Sequence, residues 1–131
     1  MENISVLTGY LCKNGLRNPD GSVKHVILSE QGYTSHSFNQ GNVEWEQAAA
    51  LAYAYYVTEA NPYIDAFIAM REVDAKPEAD AGIHQGLWYN DENKAWCTFA
   101  KKPAWTVWKY IDTNQSFAYT DCLLYTSDAA D

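Results

Sequence analysis

Lys24-His25-Val26-Ile27-Leu28-Ser29-Glu30-Gln31-Gly32-Tyr33-Thr34-Ser35 reads as a short strand that ends on a carboxylate and turns at a glycine. An aliphatic run of this length, closed by Gly and Ser/Thr, is the pattern of a strand buried on both faces. Side chains alternate along a strand, so Val26, Leu28 and Glu30 share one face. Glu30 would then top an inward aliphatic column at the C-terminal end of the strand, where α/β barrels place their chemistry.

The sequence on either side gives one helix–strand–helix–strand–helix series. Met1 to Lys13, with Ile4, Val6, Leu7, Tyr10 and Leu11, has the spacing of a short amphipathic helix. Asn18-Pro19-Asp20-Gly21 marks a turn before the strand. Gly32 to Asn42 is polar and loop-like. Glu44 to Ala60 is alanine-rich, with Trp45, Ala48, Ala49, Ala52, Tyr55 and Tyr56 at helical spacing, and Asn61-Pro62 stops it. Tyr63 to Arg71 predicts a second strand, and Val73 to Asn93 a long loop rich in Asp, Glu and Gly. Pro103 to Ile111 predicts a last helix, with Pro in its first turn.

Two strands joined by one helix of this length form a βαβ unit with parallel strands and a right-handed crossover. Two parallel strands cannot close a sheet, and parallel sheets need cover on both faces. The expected fold class is therefore α/β: an incomplete (β/α)8 TIM barrel fragment, its last two parallel strands with flanking helices. The expected partner within the same barrel is an N-terminal part preceding Met1. Residues 1–121 form the barrel portion. Cys122 to Asp131 resembles a translated sequencing-adapter tail and is set apart from the fold; a native tail is the alternative.

The net charge of −8 over 131 residues argues against nucleic acid, whose phosphates need clustered Lys and Arg. The chain has no long apolar run, so no membrane span is expected. Cys12 and Cys97 lack Cys-x-x-Cys spacing, and no zinc or other metal set emerges around His36, His84 and Glu30. No cofactor is expected. With the N-terminus expected to be missing, any signal peptide is hidden and the compartment stays open, secreted and periplasmic settings included.

Aromatic residues are abundant (Tyr 10, Trp 5, Phe 4). Tyr33, Phe38, Trp88 and Tyr89 fall in loops after the two strands. Flat rings beside Glu, His, Asn, Gln and Arg suit a carbohydrate, although Trp88 capping the barrel is equally compatible. Counting in twos along the second strand puts Asp65, Phe67, Ala69 and Arg71 on the inward face. Arg71 would then either hold the Glu30 carboxylate or pair with Asp74 and order the loop. Asp65, deeper on that face, reads as structural. His36 and His84 sit in loops, as ligand contacts or as plain surface groups. Glu78, Asp80, Asp91 and Glu92 read as a solvated acidic loop.

Leu28-Ser29-Glu30-Gln31-Gly32-Tyr33-Thr34-Ser35 resembles the seventh strand of TIM-barrel glycoside hydrolases of the clan A type. Gln47 to Tyr56, then Glu59 to Phe67, are similar to a bacterial family of uncharacterised, glycosidase-like barrel domains. Arg71-Glu72-Val73-Asp74 and Gly86-Leu87-Trp88 continue that similarity, which covers roughly Ile4 to Asp112. The resemblance implies a retaining glycoside hydrolase acting on a carbohydrate, with Glu30 as nucleophile. The substrate contacts expected beside it, from their positions in the loops and at the strand ends, are Tyr33, His36, Arg71, Asp74, His84 and Trp88. The resemblance places the acid/base on strand four as a Glu after an Asn, and no Asn-Glu pair occurs in this chain. The expected alternatives are a strand-end Glu30 in a salt bridge, and a barrel that binds sugar without turning it over.

Overall fold

The computed structural model describes residues 3–91 and 94–121. Its elements in chain order are α1 (Ile4–Lys13), β1 (Val26–Gln31), β2 (His36–Ser37), β3 (Gly41–Asn42) and α2 (Glu44–Glu59), then β4 (Ile64–Ala69), α3 (Lys76–Asp80), β5 (Trp88–Asp91), β6 (Lys94–Lys101) and α4 (Pro103–Tyr110). A π-helical turn, Phe117–Asp121, follows. The strands make three two-stranded sheets, β1 with β4, β2 with β3 and β5 with β6. The fold is mixed α/β, and among the described residues the strands close no barrel. Among the described residues, no helix is long and apolar enough to cross a membrane.

The chain divides into two compact units, Met1–Gln31 with Ala54–Ile68, and Gly32–Tyr53 with Ala69–Asp131. In the first, β1 and β4 are adjacent and parallel, as the βαβ pattern requires. The Val26 N–H donates to the Tyr63 carbonyl at 2.9 Å, at the start of the pairing. The turn before β4 is built by Asn61, whose Oδ1 accepts from the Tyr63 N–H (3.1 Å) and whose Nδ2 donates to Thr8 Oγ1 (3.1 Å). Thr8 is the buried residue of α1. The Asn18–Ser22 turn forms as predicted, with Asp20 Oδ1 accepting from the Ser22 N–H at 2.9 Å.

Several expectations about burial are overturned. β1 is not covered on both faces: its burial alternates, with Val26 and Leu28 half-buried and Ile27 61% exposed. Ile68 on β4 is 50% exposed. A sheet face without a layer packed on it leaves its side chains in water. The inward set on β4 also shifts. Asp65 is exposed and pairs with His25 Nδ1 at 2.6 Å, with the His25 ring edge-on to Tyr63. The apolar side of α1 is likewise open, with Val6, Leu7 and Tyr10 exposed. On α2 the buried positions are Gln47, Ala48, Leu51, Ala52, Ala54 and Thr58, while Trp45 faces solvent.

This much exposed aliphatic surface around a parallel sheet predicts self-association of the isolated chain. Light scattering after size exclusion should show oligomers or broad elution. A monodisperse monomer with a sharp, reversible thermal transition would contradict that expectation.

In the second unit the stretch read as one long loop holds real elements. Lys76–Asp80 closes into α3, with Pro77 in its first turn. β5 and β6 form an antiparallel hairpin with Trp88 opposite Lys101 and Asp91 opposite Lys94, and with register shifts between. α4 begins at Pro103 as expected and buries Ala104 and Val107, with Ile111 buried just past its end. Cys97 and the 122–131 segment lie outside the described side chains.

Candidate functional site

The densest polar arrangement lies in the second unit and centres on Lys102. The parallel bridge between Val73 and Trp88 aligns segment 71–74 with 86–88, through Trp88 N–H to Glu72 O (2.9 Å) and Asp74 N–H to Trp88 O (3.1 Å). The Lys102 N–H then bonds to Leu87 O (3.0 Å), which carries the start of α4 onto this segment. The Lys102 side chain enters the interior: the residue is 1% exposed. Its Nζ reaches Asp74 Oδ2 at 2.7 Å, Asp74 Oδ1 at 2.8 Å and Ser35 Oγ at 2.9 Å. The His84 carbonyl lies 3.3 Å away. All three ammonium donors have acceptors, as a buried charge needs. Burial pushes the Lys102 ammonium below the ordinary lysine range, opposed by its hydrogen bond and charge pairing with Asp74 and by the Glu44 charge.

Asp74 is 2% exposed and receives the Gly86 N–H at 2.7 Å in addition to Lys102. Gly86 is required by this close approach: a Cβ there would lie 2.3 Å from the Asp74 nitrogen. The His84 imidazole lies 3.6 Å from Asp74 Oδ2, too far for a hydrogen bond. Gln47 on α2 ties the loops together, with Nε2 donating to Tyr33 O at 2.8 Å and reaching the His84 and Gly86 carbonyls at 3.3 Å. Thr34 Oγ1 accepts from the His84 N–H at 3.1 Å. Burial pushes the Tyr33 phenol up, so the ring stays neutral.

Of the residues singled out from the sequence, Tyr33, His36, Asp74 and His84 come together here. The His36 and His84 rings lie 5.2 Å apart. Trp88 is bound into the hairpin, with its ring edge-on to Trp105 at 5.7 Å and Lys101 Nζ 3.7 Å from the Trp105 centroid. Within its own unit Arg71 pairs with Glu78 rather than with Asp74. Its guanidinium bonds to Glu78 Oε1 at 2.6 Å, because α3 presents Glu78 to it while Lys102 holds Asp74. Glu78 and Asp80 are thus not a free acidic loop, since Asp80 pairs with Lys76 at 2.9 Å. Glu30 stands in the first unit, exposed at the C-terminal end of β1, and among the described residues its carboxylate forms no hydrogen bond or ion pair.

Lys102 escaped the sequence reading. Lys101-Lys102-Pro103 has the composition of a solvated helix entry. The one available signal is its setting between the apolar residues of β6 and the Pro at the start of α4.

Gly82 ends α3 with φ +83° in a Schellman arrangement: Ile83 N–H bonds to Glu78 O (2.8 Å) and Gly82 N–H to Ala79 O (2.9 Å). The Phe38 ring lies over it, so a Cβ at Gly82 would stand 2.5 Å from that ring. Gly82→Ala should cost about 1–2 kcal/mol from the left-handed backbone alone, and more for moving Phe38. Chemical denaturation should show the loss, and an unchanged midpoint would contradict this reading of the turn.

Across its length the chain matches one family model, over residues 1–128, a match that runs into the 122–131 segment. It belongs to the family of unknown function DUF5722. No curated protein matches the chain. No solved structure matches it either. Membership of the DUF5722 family therefore carries no assigned activity to these residues, and function has to be argued from the geometry.

Proposed function

We propose that the chain is the strand-seven to strand-eight portion of a TIM-barrel glycoside hydrolase of the clan A type, with Glu30 as nucleophile of a retaining mechanism on a carbohydrate. The observation that carries this reading is Glu30, exposed at the C-terminal end of β1 in a parallel pair with β4. The C-terminal end of parallel strands is where such barrels gather their reacting groups. The open Ile27 and Ile68 side chains support a parallel sheet whose faces are covered by further elements of a larger barrel. The local resemblance of Leu28 to Ser35 supports the choice of reaction.

In this mechanism the Glu30 carboxylate attacks the anomeric carbon while a carboxylic acid protonates the leaving oxygen. Water then hydrolyses the glycosyl ester, with the acid now acting as base. The acid/base is assigned to strand four of the same barrel, outside this chain. The loops from 32 to 36 and from 71 to 91 are assigned to substrate contacts.

The test uses the intact protein that carries this chain and activated aryl glycosides. Glu30→Ala should lose hydrolysis, and azide should restore release of the aryl group with a glycosyl azide of inverted anomeric configuration. Azide without effect on an otherwise folded Glu30→Ala protein would reject Glu30 as nucleophile.

A further inference from the structure

The second unit carries a pocket of about 460 Å³, walled by Asp74, Lys76, Asp80, His84, Tyr89 and Asn90. That volume lies in the ordinary range for small-ligand sites. The charges on its wall are already matched. Asp74 is neutralised by Lys102 at 2.7 Å, and Asp80 by Lys76 at 2.9 Å. His84 adds charge only when protonated.

Charge matching of this kind selects the ligand. A phosphate or a sugar acid would find no uncompensated cation and would have to break an ion pair to gain one. A divalent cation would have to displace a lysine, and among the described residues no cluster of three metal-ligating side chains exists. A purely apolar ligand would strip water from the Asp80 carboxylate and the Lys76 ammonium without replacing it. A hydroxyl-rich neutral molecule meets none of these costs. Each hydroxyl donates and accepts, and so suits an ion-paired carboxylate, an ammonium and an imidazole together.

The Tyr89 ring supplies the other half of the recognition. It lines the pocket, with the Lys102 Nζ 5.1 Å from its centroid, within cation–π reach. A pyranose has one apolar CH face, and an aromatic ring is its natural counterpart. We infer that this pocket is a binding site for a neutral sugar residue, with Tyr89 as the stacking ring and His84 and the Lys76–Asp80 pair as hydroxyl partners. Trp88 is not that ring, because it is engaged with Trp105. The inference stands on the second unit alone and holds whether or not Glu30 is a nucleophile.

The full chain is titrated with the methyl glycosides of glucose, galactose, mannose and xylose, with glucuronate and inorganic phosphate as charged comparisons. Binding is read by calorimetry, so no turnover is needed. At least one neutral glycoside should bind saturably and more tightly than glucuronate or phosphate. Tyr89→Ala should weaken it roughly tenfold, the loss expected for one stacked ring, while Tyr89→Phe should keep it. Asp80→Asn changes an exposed side chain and should weaken binding in a protein that still folds. Failure of every neutral glycoside to bind, preference for glucuronate or phosphate, or full affinity in both Tyr89→Ala and Asp80→Asn would overturn the assignment.

Discussion

Lys102→Met should destabilise the second unit by about 3–5 kcal/mol, the range for removing one member of a buried ion pair. The methionine fills much of the volume, so the loss comes from stranding the Asp74 carboxylate at 2% exposure with the Gly86 N–H as its remaining partner. Ser35 Oγ and the His84 carbonyl lose a donor as well. Replacing both charges, as in Asp74→Leu with Lys102→Met, should recover part of the loss, because paired apolar groups carry no desolvation penalty. The defect should also vary with pH. Burial holds the folded-state Lys102 value below its unfolded value of 10.5. Between those two values the unfolded chain holds a proton that the folded chain has released, so the lysine's contribution to stability rises with pH across that interval. The gap between wild type and Lys102→Met should therefore widen as pH climbs toward 10.5. Denaturant titrations at several pH values measure it, and a gap that narrows would contradict the burial argument.

Glu30→Gln should lower kcat of the intact protein by roughly four orders of magnitude, in line with removal of a central reacting group, and leave KM nearly unchanged. The amide keeps the size and position of the carboxylate but cannot form the glycosyl ester. Glu30 is exposed at the end of β1, so the substitution opens no cavity, and the folded state should persist. Thermal unfolding of the variant, run beside the kinetics, separates lost chemistry from lost structure. Undiminished kcat in Glu30→Gln would end its assignment as nucleophile.

The parallel pair was legible because its signals are local. Val26 to Leu28 is an aliphatic run and Ile64, Phe67 and Ile68 are strand-forming types in the second segment, while the alanine-rich stretch between them is a helix by propensity alone. Asn61-Pro62 and Asn18-Pro19-Asp20-Gly21 punctuate the chain by backbone chemistry that needs no tertiary partner. The β5–β6 hairpin was not legible: Trp88 to Asp91 falls in the Asp-, Glu- and Gly-rich Val73 to Asn93 stretch that reads as a loop, and the segment from Lys94 to Lys102 carries no assigned element, although Trp96, Thr98 and Phe99 are strand-forming types. Burial was misjudged wherever a sheet was credited with cover that a two-stranded pair does not have, as at Ile27 and Asp65.

For the candidate site, the sequence places Asp74 and His84 in loops after a strand, and they do share one pocket wall. What joins them, the Lys102 ammonium, is set by a contact across 28 residues of sequence that no local pattern encodes. The Arg71–Glu78 pair failed for the same reason in miniature. Its spacing of seven residues made sense only once α3 turned Glu78 toward Arg71.

The most direct test of Glu30 as nucleophile is covalent trapping. The intact protein is incubated with activated 2-deoxy-2-fluoro glycosides, whose fluorine slows hydrolysis of the glycosyl ester, and the digested protein is sequenced by mass spectrometry. A single fluoroglycosyl group esterified to Glu30, absent from Glu30→Gln, is the predicted result. A label on another carboxylate, or turnover of the parent glycosides with no label on Glu30, would contradict it.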